Sequence, residues 1–350
     1  MENNAAKDMT ISVVIATYNG EKYLREQLDS ILCQTLMPDE IIVSDDASVD
    51  STWQILGEYS SRYSSLIKLY RNKRGTGSPC KNFRIGFSYA KYDIIAPSDQ
   101  DDIWEPNRLE RLCSGLSNDV DIVYGQDYVL SNGEIVKDPW HLETLDVVLF
   151  RNRLKGHTCI FRRSLLNLYQ YADGVSWDYV LCLYGYYSGR IKELNDYLVT
   201  WRRHPDAVTY LSNCGVYNKK MVINDNIQQN KKKSSKWAII SKVNRNLNRE
   251  FSLEVQRTVG GRAQFLDYLI DCEKSVYSHA FLIHSVCTLR ALSRQTKLSM
   301  FYSAVHHVLL CLRTSEFKRY VGKDRVAHLA WAYRFPYVYW NEIHKELHLG

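Results

Sequence analysis

Three carboxylates fall within four residues at Asp99-Gln100-Asp101-Asp102, directly after the largely apolar run Tyr92-Asp93-Ile94-Ile95-Ala96 and just before Ile103-Trp104. A short run of that kind reads as a buried strand. Carboxylates gathered at the end of a buried strand raise one another's pKa, and a divalent cation removes that cost. Hard cations such as Mg²⁺ or Mn²⁺ take oxygen ligands, and Mg²⁺ is typically held by one or two carboxylates together with substrate phosphates. The cluster points to a metal–diphosphate site, with a solvated acidic turn as the competing reading.

The elements that must position such a site are legible upstream. Ile11 to Thr17 is β-branched and almost wholly apolar, as a strand covered on both faces should be. Tyr18-Asn19-Gly20 makes a turn, and Glu21 to Gln34 carries Tyr23, Leu24, Leu28, Ile31 and Leu32 at helical spacing. Ile41 to Ser44 is a second strand ending on Asp45-Asp46, Asp50 to Tyr63 a second helix, Leu66 to Tyr70 a third strand, Lys81 to Ala90 a third helix and Asp93 to Ala96 a fourth strand. A further helix is expected from Arg108 to about Leu116, a strand at Asp121 to Tyr124, and a hairpin around Asn132-Gly133. This alternation predicts right-handed βαβ units, a mostly parallel sheet and helices on both faces, an α/β class. Ligands of such sheets sit beyond the carboxyl ends of the strands. Three of those ends carry polar clusters: Thr17-Tyr18-Asn19, Asp45-Asp46 and Asp99 to Asp102.

Composition narrows the function classes. The chain has 350 residues, 45% of them hydrophobic, and a net charge of +6. The first 215 residues carry 23 Lys+Arg against 29 Asp+Glu, whereas the remaining 135 carry 22 against 10. Nine cysteines include no C-x-x-C pair, and with no signal-peptide pattern the expectation is a reducing cytoplasm. No 18-residue apolar stretch predicts a membrane span. A dehydrogenase would need G-x-G-x-x-G after the first strand, which the Ala16-Thr17-Tyr18-Asn19-Gly20-Glu21 turn lacks. Nucleic acid is not expected, because no motif accompanies the basic charge.

Val13 to Gly20, Glu40 to Thr52, and Ser98 to Trp104 with Pro106, extended by Gly156-His157-Thr158 and Trp177-Asp178-Tyr179, resemble the family 2 glycosyltransferases over residues 10–210. Within that family they most resemble the rhamnosyltransferase branch of bacterial polysaccharide and O-antigen assembly. The resemblance implies a GT-A (Rossmann-like) fold and an inverting, metal-dependent transfer from a nucleotide-diphosphate sugar. Asp99-Gln100-Asp101 would be the DXD-type motif: Asp101 with Asp99 holds Mn²⁺ or Mg²⁺, and Asp102 orients the loop or assists. The ion stabilises charge on the departing diphosphate. Thr17 and Tyr18 would line the base and ribose pocket, Asp46 would accept the N–H of a uracil or thymine ring, and Asp99 would lie near the ribose or the metal. Arg203 and His204, after Arg202, would lie near the diphosphate. Asp178 would be the general base that takes the acceptor hydroxyl's proton. Trp177 stands where the family commonly has an acidic or His partner. Trp177 would face the acceptor, His157 the acceptor or the donor phosphate, and Trp104 would pack under the metal loop or lie near the acceptor.

Each assignment has a rival. Asp45 can form an Asx turn, Asp178 can cap a helix from Tyr179 to Tyr187, His157 can be an ordinary buried imidazole, and Arg202-Arg203-His204 can be a solvated basic turn. The family usually has Gly where this chain has Ala47, which matters only if the backbone there needs φ > 0.

The expected organisation is a disordered 1–9, a catalytic domain 10–215 (nucleotide-sugar binding to about 125, acceptor part to 215), and a basic, mainly helical 216–350 opened by the linker Lys231 to Lys236. The apolar Met300 to Leu312 and the late aromatics Trp331, Tyr333, Tyr337, Tyr339 and Trp340 fit helices on an anionic membrane surface. A helical cap on the catalytic domain or on a second subunit fits them equally. The expected partners are a nucleotide-sugar donor and a glycan or lipid-linked oligosaccharide acceptor, with the protein cytoplasmic or peripheral on the inner face of the bacterial membrane. The oligomeric state is left open. A non-catalytic glycan- or nucleotide-binding scaffold of the same fold is the alternative function.

Overall fold

A computed structural model describes residues 9–138, 148, 152, 154–172, 174–205, 207, 249–271, 285–290 and 305. The Lys231 to Lys236 linker, the late aromatic residues and, Val305 aside, the Met300 to Leu312 segment lie outside the described residues.

The strands are β1 (Ile11–Thr17), β2 (Glu40–Asp45), β3 (Ile67–Arg71), β4 (Ile94–Ser98), β5 (Ile103–Trp104), β6 (Ile122–Ser131), β7 (Glu134–Asp138), β8 (Cys159–Arg162) and β9 (Ile191–Arg203). They form one nine-stranded sheet in the order β3-β2-β1-β4-β8-β6-β9-β5, with β7 paired to β6. β1 to β4 run parallel to one another. β8 is antiparallel to both β4 and β6, while β6 and β9 are parallel. The helices are α1 (Leu24–Leu32), α2 (Thr52–Arg62), α3 (Pro79–Tyr89), α4 (Arg108–Ser114), α5 (Trp177–Ser188) and α6 (Arg249–Asp271).

Burial explains why the first strands read as unbroken apolar runs. Successive side chains of a strand point to opposite faces. Val13 and Ile15 pack with Ile41, Val43, Leu24, Leu28 and Ile31 on one face. Val14 and Ile42 join Phe83 and Phe87 of α3 on the other, where Trp177 and Tyr179 of α5 and Phe265 and Leu266 of α6 complete the core. With both faces dry, no polar alternation survives. Tyr171 also stacks on Tyr268 of α6 at 3.8 Å, so this part of the basic C-terminal region is a helical cap.

The expected hairpin is present, and Asn132 and Gly133 both have positive φ, 53° and 82°, as a tight two-residue turn requires. Several boundaries moved, and for two of them the local cause is plain. α1 begins at Leu24 because Gly20 O receives both Tyr23 N and Leu24 N at 3.1 Å in a turn. α5 begins at Trp177, so Ser176 takes the cap position and Asp178 sits in the first turn.

Candidate active site

The carboxyl ends of β1, β2 and β4 meet the ends of β8 and β9 around the Asp99–Asp102 loop. β9 is what closes the group: Ile103 pairs with Thr200 and Trp104 with Val199, which carries Trp201 to His204 back over the carboxylates.

Asp101 Oδ2 lies 2.9 Å from His204 Nε2. Asp99 Oδ2 is 3.8 Å from His157 Nδ1, and His157 Nε2 is 3.3 Å from Asp127 Oδ2. Asp102 is 1% exposed. Its Oδ1 accepts the Arg202 N–H at 3.2 Å, and its Oδ2 has no protein hydrogen-bond partner. Arg202 also donates from Nε to the Asp101 carbonyl and pairs with Glu26. Arg203 stands over the Trp201 ring at 5.4 Å.

The electrostatics are those of an acidic cluster short of positive charge. Desolvation at the cleft floor raises the Asp99 carboxyl to about 6, an effect moderated by the solvent that reaches 42% of its side chain. Burial, with Asp99 and Asp101 adding like charge, lifts Asp102 well above the carboxylate range. Burial works against the His157 imidazolium, yet Asp102 and Asp127, helped by Asp99, outweigh it and raise its pKa. Arg108, fully buried beneath the loop, is pulled down to about 10 by desolvation. It donates to His157 O at 2.8 Å and lies over the Trp104 ring.

These donors fit a divalent cation. Asp99, Asp102 and His157 each offer an atom within 4.8 Å of the others. Neighbouring octahedral ligands at about 2.1 Å from Mg²⁺ stand about 3 Å apart, the spacing that Asp101 and His204 already have. The buried, unpartnered Asp102 oxygen and His204 Nδ1 leave capacity for a cation and its waters.

The donor side is built from the loops after β1 and β2. Thr17 Oγ1 donates to Asp45, which also takes the Ser48 hydroxyl and main-chain N–H and pairs with Arg71. Asp45 is thus an Asx-type turn residue. Asp46 accepts from Asn72 Nδ2 and Thr76 N at 2.8 Å and from Thr76 Oγ1 at 2.9 Å. Directly after Asp46, Ala47 has φ of 63°, the left-handed region that favours glycine. Tyr18 is 56% exposed at the mouth of the cleft.

Asp178 occupies the first turn of α5, half-buried. Its Oδ2 accepts Asn152 Nδ2 at 2.6 Å and its Oδ1 accepts Tyr179 N at 2.9 Å. Desolvation raises its pKa, against the pull of bonds from Ser176, Tyr179 and Asn152. Its Cβ lies 3.6 Å from where a Cβ on Gly156, the neighbour of His157, would stand, and its negative charge adds to what raises Asp99. Trp177, expected on the acceptor side, is buried, and of the two readings of Trp104 its burial over Arg108 fits packing under the carboxylate loop. Trp104 is 2% and Trp177 5% exposed, and Trp177 packs on Phe83 and Phe87 with ring centroids 5.2 Å away. A Cβ on Gly156 would stand 2.5 Å from the Trp177 ring, so this indole dictates the glycine.

Several residues escaped the sequence reading. Asp127 is fully buried and bound by Lys155 Nζ at 2.8 Å as well as by His157. Trp201 stacks with His157 at 5.8 Å, and Asn152 holds Asp178. A Trp beside two Arg was a visible signal; Asp127 and Asn152 had no local one.

In this mixed α/β sheet, whose β1 to β4 run parallel, the acidic cluster at the end of β4 lies where such sheets take their ligands. The model of the family described as "Glycosyl transferase family 2" matches residues 12–173. The UDP-Glc:alpha-D-GlcNAc-diphosphoundecaprenol beta-1,3-glucosyltransferase WfgD of Escherichia coli is 31% identical over 180 residues, 50% of this chain and 69% of that protein. The dTDP-rhamnosyl transferase RfbG of Shigella flexneri is 39% identical over 99 residues, 27% of this chain and 34% of that one. The chain belongs to glycosyl transferase family 2. Its fold is GT-A, and the crystal structure of S. aureus TarS 1-349 in complex with UDP-GlcNAc superposes with a TM-score of 0.55 at 16% identity, covering 97% of this chain and 92% of that one. The chain spans 65% and 60% of the length of the first two curated relatives it matches. Among the described residues no helix is long and apolar enough to cross a membrane.

Proposed function

We propose that this protein is a metal-dependent inverting glycosyltransferase. It moves a sugar, rhamnose from dTDP-rhamnose, to a hydroxyl of a bacterial surface glycan or lipid-linked oligosaccharide. The observation that carries this reading is the carboxylate loop at the end of β4, with His204 2.9 Å from Asp101 and His157 3.8 Å from Asp99.

Asp101 and His204, with Asp99 beside them, would hold Mn²⁺ or Mg²⁺. When bound, the ion supplies positive charge to the departing diphosphate. Arg203 and His157 add cationic donors at that end. Thr17 and Tyr18 line the nucleoside end. Asp46 can accept a ring N–H by exchanging it for one of its bonds from Thr76, donor for donor, and this suits uracil and thymine alike. Asp178 suits a general base: desolvation raises its proton affinity, while Asn152 and the Tyr179 N–H keep its carboxylate aimed. It takes the proton of the acceptor hydroxyl as that oxygen attacks the anomeric carbon, the sugar–phosphate bond breaks, and a single displacement inverts the centre.

The rhamnose assignment draws on the similarity to RfbG, and a lipid-linked acceptor on that to WfgD. The basic 216–350 segment would keep the enzyme on the inner face of the cytoplasmic membrane. Incubating the protein with Mn²⁺ and a panel of UDP- and dTDP-sugars should release nucleoside diphosphate from one donor, dTDP-rhamnose above the others, and NMR of the product should show an inverted linkage. No metal-dependent binding of UDP or dTDP and no release from any donor would overturn the reading.

A further inference from the structure

We propose that Gln100, the residue between Asp99 and Asp101, is a positioning residue for the nucleoside end of the donor: its carboxamide ties the Tyr18 main chain to the carboxylate loop. This inference rests on the donor site proposed above and adds to it a residue that touches neither metal nor phosphate.

Gln100 Oε1 accepts the Tyr18 N–H at 2.9 Å, and Gln100 Nε2 donates to the Tyr18 carbonyl at 3.0 Å. The ladder between β1 and β4 ends at Ile15 and Ser98. Beyond it the two chains part, and the side chain of Gln100 supplies the donor–acceptor pair that further backbone pairing would have made. Only an amide of this length presents both; a carboxylate keeps the acceptor and loses the donor. Gly20 completes the fit, because a Cβ there would stand 2.2 Å from Gln100 Oε1 and 2.6 Å from its Cδ.

The other side of the same segment is anchored to the loop after β2. Asn19 N donates to Ser48 Oγ at 2.9 Å, Val49 N to Asn19 Oδ1 at 2.9 Å, and Gly20 N to Thr52 Oγ1 at 2.7 Å. Tyr18 is therefore the joint between a loop that carries Asp46 and a loop that carries Asp99 and Asp101. Tyr18 is more than half exposed, so the main-chain clasp, more than burial, fixes where its backbone presents the side chain.

The test separates the nucleoside from the diphosphate. Isothermal titration with Mn²⁺, with inorganic pyrophosphate plus Mn²⁺, and with UDP and dTDP plus Mn²⁺ is run on the full chain and on Gln100→Ala, Gln100→Glu and Gly20→Ala. The expected result is a fivefold to tenfold loss of UDP and dTDP affinity in all three variants, about the worth of one net hydrogen bond. Mn²⁺ and pyrophosphate affinities should stay within about twofold of the parent in Gln100→Ala and Gly20→Ala under the same reasoning, while the added carboxylate of Gln100→Glu should not weaken Mn²⁺ binding. Nucleotide affinity unchanged in Gln100→Ala overturns the proposal. So does an equal loss of pyrophosphate affinity, which would place Gln100 at the metal end or in general folding. Failure of the parent chain to bind either nucleotide would instead remove the functional reading beneath it.

Discussion

Asp178→Asn tests the proposed chemistry most directly, because it removes the base while keeping the shape. Oδ1 accepts the Tyr179 N–H and Oδ2 accepts Asn152 Nδ2. The asparagine must keep its carbonyl toward Tyr179, which turns its NH₂ toward the NH₂ of Asn152. Asn152 cannot flip freely, since its Oδ1 also holds Leu154 N at 3.1 Å. The structural cost is one lost hydrogen bond, about 1 kcal/mol. Removing a general base costs about 10²- to 10⁴-fold in rate, or about 3–5 kcal/mol on the barrier. The two effects are read separately: urea unfolding for the first, steady-state kcat for the second. Donor affinity, measured by titration of UDP or dTDP with Mn²⁺, should change by less than about twofold if Asp178 acts on the acceptor hydroxyl as proposed. A kcat loss below tenfold, or an equal loss of donor affinity, would refute the assignment.

A base with a raised pKa predicts a particular pH dependence. The carboxylate must be ionised to accept the proton, so kcat/KM should rise with pH and reach half its plateau above the ordinary carboxylate value of 3.8; a half-point at or below that value would contradict the burial described here. The raised carboxyls of Asp99, Asp102 and Asp178 hold more protons folded than unfolded, so stability without metal should fall as pH rises from about 4 through 6. Urea midpoints across that range check the sign, and added Mn²⁺ should shrink the slope. Ala47→Gly should stabilise the fold by about 0.5–1 kcal/mol, the relief of left-handed strain less the entropy of the added glycine; an unchanged urea midpoint would count against strain at that position. Asp101→Asn and His204→Ala should each weaken Mn²⁺ binding at least about tenfold by calorimetry, whereas unaltered binding in both would move the cation site to Asp99, Asp102 and His157.

Much of the architecture could be read before any coordinates. The apolar runs of β1, β2 and β4, covered on both faces, announce themselves through composition, and the Asn132-Gly133 turn through its tolerance of positive φ. The Asp99–Asp102 loop at a strand end was equally plain, because strand, turn and charge are local properties of neighbouring residues. Which carboxylate meets which partner was not. Asp101 finds His204 across 103 positions of sequence, and it does so because β9 pairs with β5 and, past register shifts around Gln126, with the second half of β6. That register is chosen by what the whole sheet buries. The same packing turned Trp104 and Trp177 into the core and made Gly156 and Gly20 fit against a neighbouring side chain. The sequence alone thus determined the strands, the turns and the presence of an acidic cluster at the rim. The tertiary structure decided the pairings, because hydrogen bonds and burial between distant residues follow from the order and register of the strands in the sheet and leave no periodic trace along the chain.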